Sequence, residues 1–344
     1  MPPPAPTPLG RLLAGPPQAF ERAHALFVQQ PVDWDLLDES LPPWPARQTT
    51  LRRAFTIQGP GTFFGKRLRT LTFEPRASGG WWIERSDQAE ALPFRVAARN
   101  VWTTGDVVSN IVLRAGPPHN YLRMVEHIIA LKVGLGLDHV LLRTDAGDPP
   151  LFIHGSMDLV EAVESAGLQE LERPAEWVTV KEPVVLCSPS GAFFALAPCR
   201  TAQPELRVDC AVDFPNVIGR QRVRFRLHPE RFRYAAAART NTPAWKMVYC
   251  QTLGRLFADI RNLGYSRENI LIAGRHRYRN VPQLLHGEKS LEVVWHRAAL
   301  DLLAAIALIE DGRFCGEITS FKAGHQLDVR LICQLYKHDL LRKF

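Results

Sequence analysis

The stretch Met124 to Leu142, MVEHIIALKVGLGLDHVLL, limits what this chain can become more than any other. Leu122, Val125, Ile129 and Val133 recur at helical spacing, and Ile128 and Leu131 widen the apolar side. The Gly134–Gly136 pair stops the helix, and HVLL follows as a buried strand. Inside the helix sit Glu126 and His127, between Val125 and Ile128. Neighbouring helical positions lie about 100° apart, so both side chains reach one cleft. A carboxylate beside an imidazole in an apolar wall is costly unless it is paired or bound to something. Two readings stand. One is a metal ligand (His127) beside a general base (Glu126); the other is a half-exposed helix face with one satisfied histidine.

A chain of 344 residues is too long for one ordinary core, so two domains are expected. With 46% hydrophobic and 22% charged residues, disorder throughout is excluded. The net charge of +7 suits an anionic ligand such as a phosphate ester, with nucleic acid or an acidic membrane surface as alternatives. Cys187, Cys199, Cys210, Cys250, Cys315 and Cys333 lie in apolar runs without any C-x-x-C, as in a reduced cytoplasmic protein. No apolar run reaches the length of a membrane span, and the N-terminus lacks the order of a signal peptide.

Residues 1–46 carry MPPPAPTP, GPPQ and LPPWP, with QAFERAHALFVQQ as one short amphipathic helix between them. This predicts a proline-rich arm appended to a core that folds without it. From Thr49 the residues alternate apolar and polar around Gly59-Pro60-Gly61, as strand, turn and strand. WWIERSD, FRVAARNVWTT and NIVLRAG continue the strand signals. A turn at His154-Gly155-Ser156 opens a helix, and Glu170–Pro174 reads as a linker between domains 47–173 and 174–344. Strands restart with EWVTVKEPVVLCS, GAFFALAP, LRVDCAVDF and QRVRFRL. MVYCQTLGRLFADIRNLG and LEVVWHRAALDLLAAIALIEDG read as helices, and RFCGEITSFKAGH as a strand running into a loop. Each half thus combines a sheet with helices, which is the α+β class.

Chemistry gathers again in the second half. His296 and Arg297 begin a long apolar helix with Asp301 shortly after, and Lys322-Ala323-Gly324-His325 lies just past a strand end. Ala238-Arg239-Thr240 sits in an alanine run. One imidazole from the first half, with an imidazole and a carboxylate from the second, makes a two-histidine, one-carboxylate zinc set open to water. Glu126 then takes the water's proton and His325 protonates the leaving group. A lone Gly-His after a strand is otherwise an ordinary turn.

In this order RQTTL at 47–51, GPGTFFGK at 59–66, MVEHIIALKVGLGLDHVLL, IHGSMDLVEAVESAGLQEL, ART at 238–240, WHRAALD and SFKAGHQLD resemble one family. It is the UDP-3-O-acyl-N-acetylglucosamine deacetylases, the zinc amidases of lipid A biosynthesis. The resemblance implies two similar two-layer α/β sandwich domains with the active site between them. It implies zinc held by His127, His296 and Asp301, with Glu126 as base, His325 as acid and Thr240 polarising the amide carbonyl. Lys322 and Phe64 fall where the family binds its UDP-linked acylated amino sugar. Arg297 stands for a family lysine, keeping the charge and changing the donor geometry. The same resemblance implies a cytoplasmic monomer without a nucleic-acid partner, touching a membrane surface at most peripherally.

The departures are specific. The family's helical histidine and aspartate are four residues apart, and here they are five apart. A four-residue step is about 40° off one face and a five-residue step about 140°. Helical register from His296 therefore puts Leu300 at the ligand position, and bringing Asp301 round takes a π-bulge. A second family aspartate, which orients the catalytic histidine, is Ala305 here. The loop Gly61-Thr62-Phe63-Phe64-Gly65 lacks a family histidine, and His154 replaces an aspartate. Three readings follow: a zinc deacetylase, a relative keeping only a glycolipid or anionic-ligand cleft, or a nucleic-acid or membrane-surface binder on the same scaffold.

Overall fold

Near-continuous apolar strands in the second half form the centre of an eight-stranded sheet whose two faces are both buried. The computed structural model describes residues 6–61, 67–105, 109–243, 266, 268–310 and 312–344. In spatial order the strands are Pro6–Thr7, Gly10–Ala14, Val184–Cys187, Phe193–Pro198, Gly316–Phe321, Leu206–Asp213, Arg220–Arg226 and Trp34–Leu36. Side chains alternate between faces. Phe194, Leu196, Val208, Cys210 and Phe225 enter the main core, while Val185, Cys187, Phe193, Ala195 and Phe321 form a second core on the opposite face.

That second core is closed by the N-terminal segment, which corrects the expectation of an appended arm. Gly10–Ala14 pairs in parallel with Val184–Cys187, and Trp34–Leu36 pairs in parallel with Arg220–Arg226 at the far edge. Between them helix α1, Pro17–Gln29, starts on a proline and buries Ala19, Phe20, Ala23 and Phe27. Phe20 meets Phe193 edge-on, and Phe27 meets both Phe193 and Phe321. Arg222 reaches up from the sheet, its guanidinium 3.9 Å from the Phe27 ring centroid and donating to the carbonyls of Phe27 and Gln30 at 2.9 Å. At Gly10 (φ +108°) a side chain would collide with the Pro183 carbonyl, so only glycine fits this sheet edge.

The first half builds a five-stranded sheet in the order Phe55–Pro60, Leu68–Pro75, Val140–Thr144, Trp81–Arg85 and Phe94–Arg95. The predicted helix and strand of the opening stretch are both present, as α2 (Glu126–Gly134) and Val140–Thr144. The helix starts later than its periodicity suggests. Leu122 belongs to the strand Tyr121–Leu122, and Met124 takes a left-handed φ of 53°, which turns the chain so that Glu126 opens the first turn. Helix α3 spans Ser156–Ala166. Glu170–Pro174 is no free linker, because Leu168–Pro174 is a strand antiparallel to Arg47–Leu51.

Helix α4 covers Pro229–Ala236. Helix α5 runs as Glu292–Trp295, a π turn over His296–Asp301, then Leu302–Ile306. Helix α6, His325–Lys337, follows the strand Gly316–Phe321. One continuous apolar cluster joins the halves, with Ile129 of α2, Leu303 of α5 and Phe225 of the large sheet among its members. Helices combined with antiparallel and mixed sheets make this an α+β protein. The predicted helix over 247–264, Phe64 and Cys250 lie outside the described residues. The five described cysteines are free thiols, with Cys199 and Cys333 only partly buried. Among the described residues no helix is long and apolar enough to cross a membrane.

Candidate active site

Helices α2, α5 and α6 and the strand Thr240–Pro243 bring their polar residues to one cavity of about 260 Å³. Glu126, His127, Thr240, His296, Asp301 and His325 all line it. Six residues spread over two hundred positions of sequence are thus neighbours in space.

The two metal-type histidines face each other. Nε2 of His127 and Nε2 of His296 are 3.3 Å apart, and the Thr240 hydroxyl is 3.0 Å from the latter. Nδ1 of His127 lies 2.7 Å from the hydroxyl of Ser156, the first residue of α3. An Nδ1–H donated to that hydroxyl leaves Nε2 with its lone pair towards the cavity. Burial, and then the neighbouring His296, push the His127 pKa down to about 3, so its imidazole is neutral. Neutral imidazole is the ligand form.

Asp301 is where the extra residue matters. In a regular helix it would point about 140° away from His296. The π turn, in which the Leu302 N–H bonds to the Arg297 carbonyl, swings it back. Asp301 Oδ1 then lies 3.5 Å from Nδ1 of His296 and 3.6 Å from Nε2 of His325. Burial works to raise its pKa, but His296, His325 and Arg297 outweigh burial and hold the carboxylate below its usual range.

Glu126 is buried at the start of α2, and one of its oxygens accepts the backbone N–H of Ile111. Burial raises its pKa, with His325 acting against the shift. Nε2 of His325 is 3.7 Å from Glu126 Oε1, so base and acid candidates share one wall.

Other candidates are placed differently. Arg297 is buried; its Nη2 donates to Asp328 at 2.6 Å and its Nη1 is 3.7 Å from Asp301. Burial opposes its charge, yet Asp328 and Asp301 keep the guanidinium pKa raised. Arg297 and Lys322 line an adjoining cavity of about 300 Å³ that also touches His296 and Asp301. Lys322, at a left-handed φ of 55°, sits 3.8 Å from Asp213. His154 is outside the cluster, exposed and 2.8 Å from Asp158. Phe64 lies outside the described residues. Ser156 and Asp328 were not singled out from sequence; their signals are a Gly-Ser at a helix start and an aspartate one turn after His325.

A metal fits part of this set as it stands. Two nitrogens bound to one tetrahedral zinc at about 2.0–2.1 Å are about 3.3–3.4 Å apart, which is the His127–His296 separation. Among the described residues, however, no three histidine, cysteine or acidic side chains already converge as a metal group. Asp301 lies on the Nδ1 side of His296, so its carboxylate must turn to join the two Nε2 atoms.

A buried set of imidazoles and carboxylates lining one cavity is the kind of arrangement that acid–base enzymes use. Residues 48–337 match the sequence profile of the UDP-3-O-acyl N-acetylglycosamine deacetylases, and the chain belongs to that family. Among its relatives is a UDP-3-O-acyl-N-acetylglucosamine deacetylase of Methylococcus capsulatus, 25% identical over 302 residues, 85% of this chain and 90% of the relative. Proteins of the same name from Synechocystis sp. (27% identical; 82% of this chain, 96% of the relative) and Myxococcus xanthus (26%; 83% and 85%) are similar to it as well.

Proposed function

We propose that this protein is a zinc-dependent deacetylase that hydrolyses the N-acetyl group of a UDP-3-O-acyl-N-acetylglucosamine-type substrate in lipid A biosynthesis. The observation that supports the reading is the π turn, which brings Asp301 to within 3.5 Å of His296 despite five-residue spacing. His127, His296 and Asp301 would hold the ion. Bound there, zinc polarises the amide carbonyl and makes a water more acidic.

The side chains do the rest. Glu126, anchored through one oxygen by the Ile111 N–H, takes the proton of the attacking water. The Thr240 hydroxyl, beside Nε2 of His296, donates to the oxyanion. His325 delivers a proton from Nε2 to the departing amine, and acetate leaves. Lys322 and Phe64 bind substrate, and Arg297 holds positive charge behind Asp301. The reading includes two sandwich units, 47–173 and 174–344, and a cytoplasmic monomer acting on a UDP-linked acylated amino sugar. It includes no nucleic-acid partner and at most a peripheral membrane contact.

Zinc content tests it. Stoichiometric zinc is expected in the wild type and loss of zinc on dialysis in Asp301→Ala. Deleting Ala299 restores four-residue spacing and should keep the metal. Equal zinc in wild type and Asp301→Ala removes Asp301 from the ligand set. No zinc in the wild type, with zinc gained on deletion, leaves the second reading, a binding cleft without chemistry. The five-residue spacing from His296 to Asp301 and the alanine at 305 favour that second reading.

The Glu126 environment adds a pH expectation. A base works deprotonated, and burial raises this carboxyl above the ordinary glutamate value of about 4.3. As pH falls, activity should therefore be lost earlier than for an exposed glutamate. An acid limb of kcat/KM at or below that value would count against Glu126 as the base.

A further inference from the structure

Two buried polar atoms at the start of α6 lack hydrogen-bond partners among the described residues: Nδ1 of His325 and Oδ2 of Asp328. They belong to residues three apart on one helix, whose side chains are neighbours on its surface. His325 turns Nε2 towards Glu126 and Asp301, so Nδ1 is its rear face. Asp328 is fully buried, and its other oxygen is held by Arg297 at 2.6 Å. Arg297 also approaches Asp301, so one guanidinium spans two carboxylates near the same imidazole.

A buried imidazole N–H and a buried carboxylate oxygen are complementary, and each left alone is costly. We propose that Asp328 is the positioning residue of His325: locked by Arg297, it accepts from Nδ1, directly or through one water, and keeps Nε2 aimed into the cavity. This assigns Arg297 a second task, as the clamp that fixes Asp328. It also supplies an orienting carboxylate in a chain that has alanine at 305. The proposal rests on the reading of His325 as the proton donor.

The test uses the zinc-loaded full chain with UDP-3-O-acyl-N-acetylglucosamine as substrate. Asp328→Asn should lower kcat by about 10–100-fold with KM within twofold and zinc content unchanged. Asp328→Glu should recover part of the loss. In ¹⁵N-histidine-labelled protein, His325 should carry its proton on Nδ1 in the wild type and mix tautomers in Asp328→Asn. Unchanged kcat and an unchanged His325 spectrum in that variant would overturn the proposal. If loss of the Arg297 partner prevents folding, Arg297→Met/Asp328→Asn removes both charges together, and the same His325 signal decides the matter. His325→Ala separates the two ideas. Undiminished kcat there removes His325 as the acid, whereas a large loss there with none in Asp328→Asn sinks the positioning role alone.

Discussion

Glu126→Gln is expected to cut turnover by roughly 10²-fold or more while zinc content and fold stay as they are. Glutamine keeps the shape and an oxygen for the Ile111 N–H, but it takes no proton at neutral pH. The stability side has a definite sign. Burial raises the folded-state pKa of Glu126, so the ionised carboxylate costs stability above its unfolded pKa. Removing that charge should leave the melting temperature at pH 7 unchanged or higher. High stability with lost turnover is the signature of a residue kept for chemistry. Wild-type acetate release from the variant would instead remove Glu126 from the mechanism.

How legible this was in the sequence depended on whether the signal was local. The helix–glycine–strand of 124–142 was readable because its glycines and periodicity act within a few residues. The π turn was readable because an extra residue between His296 and Asp301 has few ways to be absorbed in a helix. The edge strand Leu168–Pro174 was not, since its polar, half-exposed residues look like a linker until Arg47–Leu51 pairs with them. Helix α6 is masked in the sequence by the Gly-His turn, although Leu331, Ile332 and Leu335 bury one of its faces. Asp328 is hidden with it, because its partner is a buried arginine from a different helix.

The N-terminal segment conceals its packing role for a related reason, and it carries the largest stability prediction. Proline-rich composition says that a segment makes little regular structure by itself. It says nothing about an apolar surface elsewhere that needs a cover. That surface was visible in VVLC and FFAL, because continuous apolar strands imply two buried faces. Removing residues 1–46 would expose both edges of the large sheet and strip Leu12, Phe20, Phe27 and Leu36 from the cores. At about 1.5–3 kcal/mol for each large apolar side chain, those four alone amount to roughly 6–12 kcal/mol. That rivals the total stability of a typical domain, about 5–15 kcal/mol. Arg222 would also lose the two carbonyls and the ring that cover its charge. The truncated chain is therefore expected to aggregate or to melt without a cooperative transition, as read by calorimetry. Phe20→Ala in the full chain should cost about 3–5 kcal/mol by cavity formation. A truncated protein melting within a few degrees of the full chain would mean that the second core is dispensable and that Val185, Phe193 and Phe321 tolerate water.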